Sequence, residues 1–204
     1  MRLTIIILLA FPFLFTNCTK DKVPAPFTSK IDLELLPFWS DSFLCTAVKE
    51  IPGLGSVNWT ANCAGYIHRP NEYNNNPESL DIQFTTASNA KGSFYEVREC
   101  LNISILPIKV GVFKVLSAPG VPNPDLIFSG SYSHSIADGC VLDALWLIDN
   151  TKTNFINITS IDTIAKRVNG SFDVHFKMKT QGKETLHSEV INFKSGSFRA
   201  KIYN

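Results

Sequence analysis

Two stretches of this chain alternate apolar and polar residues without a break: Leu80-Asp81-Ile82-Gln83-Phe84-Thr85 and Phe172-Asp173-Val174-His175-Phe176-Lys177-Met178-Lys179. A period of two sets one side of a strand on a core and the other in water. No segment of ten or more residues carries a convincing helical period, which makes strands the main building material. Val141 to Ile148 (VLDALWLI), interrupted only by Asp143, is expected to be a strand buried on both faces. Leu101 to Ile108 and Phe155 to Ile164 are richer in Ile than a helix favours, and Ser42 to Glu50 is also read as a strand.

Turn chemistry separates these runs. Pro52-Gly53-Leu54-Gly55, Arg69 to Ser79, the proline-rich Ala118 to Asp125 and the polar Asp149 to Asn154 are all read as loops. Gly-Ser-Phe recurs at Gly92-Ser93-Phe94, Gly170-Ser171-Phe172 and Gly196-Ser197-Phe198, with Gly130-Ser131-Tyr132 as a variant. Each copy begins or precedes a strand-like run. The glycine there accommodates a bend or bulge, and the aromatic faces inward. About nine or ten strands follow, and the expected fold is an antiparallel β-sandwich, with a lipocalin-like barrel as the alternative.

Charge and cysteine content bound the function. Nineteen basic against eighteen acidic residues, with no block of either sign, give no concentrated positive face, so nucleic acid is excluded as a partner. Beyond Cys18, the cysteines are Cys45, Cys63, Cys100 and Cys140. In an oxidising compartment this even set permits two disulfides in any of three pairings, with Cys45–Cys63 and Cys100–Cys140 slightly preferred. Buried free thiols are the alternative. The cysteines lack the short spacing of a zinc site, and no metal or cofactor is expected.

The N-terminus carries an address. Arg2 is followed by the uncharged run Leu3 to Phe15, which is short for a membrane span and fits the apolar region of a signal peptide. Phe15-Thr16-Asn17-Cys18 resembles a bacterial lipobox, with Phe15 and Asn17 departing from the usual Leu and small residue. Thr19-Lys20-Asp21-Lys22 resembles the Lys-Asp tether of Bacteroidetes-type lipoproteins. The resemblance implies a triacylated Cys18 that holds the protein in the outer membrane, at the cell surface or, alternatively, on its periplasmic face. Two buried acyl chains suffice for stable anchoring. The organisation read from this is a signal peptide over 1–17, a lipidated cysteine and linker over 18–30, and a single domain over 31–204. The ending from Asn157 to Phe198, with its two Gly-Ser-Phe starts, resembles uncharacterised Bacteroidetes-type β-sandwich lipoproteins. That likeness implies a fold and no site.

Candidate chemistry is sparse. His175 shares a polar strand face with Asp173 and Lys177, and Ser133-His134-Ser135 lies near an acid without the fixed geometry that a triad demands. Asp149-Asn150-Thr151 offers oxygens for calcium but is read as a turn. Trp59, Tyr66 and Tyr73 flank the Asn-rich loop, and Tyr73 is the ring expected to be exposed as a ligand contact for sugar or peptide. Asp162-Thr163-Ile164 resembles the O-glycosylation signal of Bacteroidetes-type secreted proteins. The expectation is a non-enzymatic, lipid-anchored binding or accessory module for a glycan, peptide or protein partner. The alternative is a hydrolase with dispersed acids.

Overall fold

The structure, a computed structural model, describes residues 43–69, 78–89, 95–117, 129–135, 141–182 and 187–203. Ten strands account for most of them: β1 Leu44–Ile51, β2 Gly55–His68, β3 Ser79–Asn89, β4 Tyr95–Pro107, β5 Gly111–Lys114, β6 Ser129–Ser135, β7 Leu142–Ile148, β8 Phe155–Asp162, β9 Arg167–Gln181 and β10 Val190–Tyr203. No helix occurs among the described residues, so the all-β expectation holds. Cys18, Tyr73, Cys140 and Gly92-Ser93-Phe94 lie outside them.

The strands join in one mixed, ten-stranded sheet. Its pairings run β1–β2–β3–β4–β6–β7–β9–β10 and return from β10 to β1, so the sheet is ring-like. A sandwich would divide its strands between two separately bonded sheets; here the hydrogen bonding is continuous. Past the start of β1, Lys201–Tyr203 pair in parallel with Ala64–Tyr66 of β2. β9 is long enough to carry β8 along Arg167–Asp173 and β7 along Phe176–Gln181 on the same edge. β5 lies on β8, and Leu116 beyond it bridges Ser129 at the head of β6.

Alternation fixes what faces inward. Leu80, Ile82 and Phe84 of β3 and Phe172, Val174 and Phe176 of β9 are buried. Two aromatic groups fill the interior. Phe84, Phe172 and Phe198 pack on one another, while Tyr132 contacts Trp146, Phe176 and Phe193, with Trp59 edge-on to Phe193.

The repeated Gly-Ser-Phe has a steric explanation. β9 and β10 set Gly170 opposite Phe198 and Phe172 opposite Gly196. A Cβ on Gly196 would lie 2.6 Å from the Phe172 ring, and one on Gly170 2.6 Å from the Phe198 ring and 2.3 Å from the Asn157 carbonyl oxygen. Each phenylalanine therefore covers the other copy's glycine. Gly196 also sits at a bulge, where Ser195 takes a left-handed φ of 51°. Both aromatics face inward, as the sequence pattern suggested.

β7 departs from expectation. Its outward residues Leu145 and Leu147 are half-buried, and Leu142 is 52% exposed. The run is thus not sealed on both faces. The Asp149–Asn154 segment is the turn expected: Asp149 Oδ1 accepts from Thr151 N and Oγ1, and the buried Asn154 donates to the Asp149 and Lys152 carbonyls.

Candidate functional site

One end of the ring is polar inside. Lys49 and Thr86 come from the C-terminal parts of β1 and β3, and His134 from that of β6. Trp59 and Glu99 come from the N-terminal parts of β2 and β4, Asp143 from that of β7, and His187 from just before β10. Neighbouring strands run antiparallel here, so these positions fall at the same end: Thr86 stands opposite Glu99, Glu99 opposite His134, and His134 opposite Ala144.

Glu99 anchors the deeper layer. Its carboxylate accepts hydrogen bonds from Lys49 Nζ, Tyr132 OH, Trp59 Nε1 at 2.7 Å and Thr86 Oγ1 at 3.2 Å. Lys49 also donates to Tyr132 OH at 2.8 Å and lies over the Tyr132 ring. Burial alone would push Glu99 up. The Lys49 charge, with hydrogen bonds from Lys49, Tyr132 and Trp59, outweighs it and holds the carboxyl at about 2. Burial, then the adjacent Glu99 charge and hydrogen bond, pushes the Tyr132 phenol up, so it remains a donor. A carboxylate with this many donors is a structural anion, unsuited to act as a base.

Above it lies a His–Asp–His cluster. β7 and β6 slip register between His134 and Ser135, leaving Asp143 as the extra residue between Leu142 and Ala144. Bulges of this kind re-aim a side chain. Asp143 and Ala144 are consecutive buried residues, and the carboxylate turns into the ring interior. Asp143 Oδ2 lies 2.5 Å from His187 Nε2 and 3.4 Å from His134 Nδ1. The side chains of Asp143, His187 and His134 are 1%, 10% and 22% exposed, so the cluster opens towards solvent on the His134 side. Trp146 stands edge-on to His187 and donates from Nε1 to the Ser188 carbonyl, which fixes that segment. Gly182 packs so closely on Asp143 that a Cβ would lie 2.3 Å from Oδ1. Burial, reinforced by His187 and Lys49, holds His134 below the ordinary imidazole range against the opposing pull of Glu99 and Asp143.

The sequence-based candidates fall elsewhere. Cys45 and Cys63 are buried free thiols, so the preferred bridge between them is not formed; Cys100 is a half-buried free thiol, and its preferred partner Cys140 lies outside the described residues. Cys45 stands opposite Ala61, with Cys63 two residues further along β2, while Cys100 meets Gln83 Nε2 at 3.3 Å. Burial pushes the Cys45 and Cys63 thiols well up, which makes them inert. Trp59 is buried as a donor to Glu99, and Tyr66 stacks on Tyr203 at 5.7 Å with both rings partly exposed. His175 lies on the outer face beside Asp173, and His68 pairs with Asp81 in the open. Thr163 is exposed in the turn after β8. A shallow outer groove lined by Thr46, Thr159, Asn169, Ser171, Ser197 and Arg199 holds no gathered titratable groups. Asp143 and His187 were missed as partners. The available signals were the lone acid in an apolar run and the shared phase of Tyr132 and His134.

No protein-family model, no curated protein and no solved structure matches this chain.

Proposed function

We propose that this chain is a lipid-anchored protein of the bacterial cell envelope, related to the Bacteroidetes-type lipoproteins, whose domain serves as a binding or accessory module. Arg2, the apolar run to Phe15, and Cys18 with its Thr19–Lys22 tether support the address. The binding part rests on one observation: a bulge turns Asp143 out of strict alternation and sets its carboxylate between two imidazoles. A buried acid with basic partners, reached by solvent on the His134 side, is built to hold something polar. A second reading draws on the stacked, exposed Tyr66–Tyr203 pair, with Lys201 over the Tyr203 ring, which suits a glycan or peptide on the outer wall.

Fractionation and intact-mass analysis of the native protein test the address. Acyl mass on Cys18 and recovery with membranes are expected, and Cys18→Ala should move the protein to the soluble fraction. Methionine-initiated, unacylated protein in the cytosol would refute it. Thermal-shift screening of the acylated protein in detergent against glycans, peptides and small polar ligands tests the site. The Asp143→Asn variant should lose the response and Tyr203→Ser should keep it. The reverse pattern would move the site to the outer wall.

A further inference from the structure

We infer that His134 Nδ1, Asp143 Oδ2 and His187 Nε2 form a binding site for a divalent transition-metal ion, with zinc the best match. This deepens the reading that the polar end is the binding site, and it rests on that reading.

One donor atom from each of the three residues lies within 4.8 Å of the others. Around a tetrahedral zinc with bonds of about 2.0–2.1 Å, donors stand roughly 3.4 Å apart. The His134–Asp143 separation of 3.4 Å already meets that requirement. The 2.5 Å contact between Asp143 and His187 has to open by about 1 Å, the proton between them giving way to the ion. A small swing of His187, which precedes the first residue of β10, would supply this.

The donor set selects the metal class. Two imidazoles and one carboxylate suit zinc and its neighbours; calcium and magnesium prefer oxygens alone, and copper(I) prefers sulfur. A second observation points the same way. His134 Nδ1 is buried and makes no hydrogen bond, although it lies within ion-pair distance of Asp143. A buried ring nitrogen left without a partner is costly, and ligation provides the partner. The surroundings hold the donors in place: Gly182 backs the carboxylate, and Trp146 steadies His187 from the side. Three protein ligands leave a fourth position, on the side where His134 reaches solvent, for water or an incoming ligand atom.

The test uses the full acylated protein in detergent, stripped with chelator, dialysed and titrated with zinc chloride by calorimetry, with metal content read by mass spectrometry. One equivalent per chain is expected. Asp143→Asn and His134→Ala should each weaken it by more than about 100-fold, the upper end of the roughly 10–100-fold that an outer-shell change costs. His68→Gln and His175→Gln should leave it unchanged. His134, at 22% exposure the least buried of the three, offers a second variant should Asp143→Asn fail to fold, and circular dichroism checks both. Absence of zinc binding, or binding that survives His134→Ala and is lost in His68→Gln or His175→Gln, overturns the site. An organic ligand that needs Asp143 in the metal-free protein, with no zinc bound, refutes the metal and keeps the binding reading. If neither zinc nor any ligand depends on Asp143, both fail.

Discussion

Replacing Lys49 by Met keeps roughly the length of the side chain and removes the ammonium that pairs with Glu99. In the native fold the carboxyl is held at about 2, against an ordinary value of 4.5. That interval corresponds to about 3 kcal/mol of stability. Because the folded value is depressed, this contribution is present above pH 4.5 and is lost as the pH falls towards 2. Without Lys49, burial dominates and leaves an uncompensated buried anion, a loss of about 3–5 kcal/mol. Urea unfolding at pH 7 should register that loss for Lys49→Met. At pH 4 the deficit should narrow, because Glu99 in the variant takes up a proton on folding. The double variant Lys49→Met/Glu99→Gln should recover much of the stability, since the amide removes the stranded charge while its oxygen still accepts from Trp59 and Thr86. A loss below about 1 kcal/mol at pH 7, unchanged at pH 4, would refute the reasoning.

Other changes probe the frame. Gly196→Ala and Gly170→Ala drive a Cβ into the opposing phenylalanine and should each cost at least about 2 kcal/mol, or roughly 4–8 °C in a thermal melt. Gly65→Ala, whose nearest neighbour is Leu80 Cδ1 at 3.3 Å, should cost clearly less. Ile105 is a β-branched residue at a left-handed φ of 65° and lies on the surface, so Ile105→Gly should leave stability level or raise it by about 1 kcal/mol; a clear loss in denaturant would show that the backbone there is unstrained. Cys45 and Cys63 should resist iodoacetamide in the native protein and react in urea, as peptide mass analysis would show; labelling of either in the native protein would contradict their burial.

Much of the frame was legible in local pattern. Leu80-Ile82-Phe84 and Phe172-Val174-Phe176 give inward faces directly, because alternation is a short-range property of the strand. The Gly-Ser-Phe copies at Gly170 and Gly196 marked inward aromatics, although their mutual packing depends on the β9–β10 register, which no single segment contains. The closing of the ring was hidden for a similar reason: β10 meets both β1 and β2 across most of the chain. The site was hidden by its own geometry. Strict alternation from Trp146 and Ala144 would send Leu142 inward; the bulge exposes Leu142 and gives its place to Asp143. Lys49 follows Cys45 and Ala47 inward on an unbroken period, where charge alone argued for water. His187 lies outside any strand, and its position comes from Trp146 and Asp143.

The claim that the polar end of the ring holds a ligand through two imidazoles is most directly tested by the ring-nitrogen spectrum of the four histidines. Long-range proton–nitrogen correlation, recorded before and after one equivalent of zinc, reports each imidazole separately. His134 Nδ1 and His187 Nε2 should move to metal-bound positions while His68 and His175 stay in place. Four unmoved rings, or shifts confined to His68 and His175, would contradict the assignment.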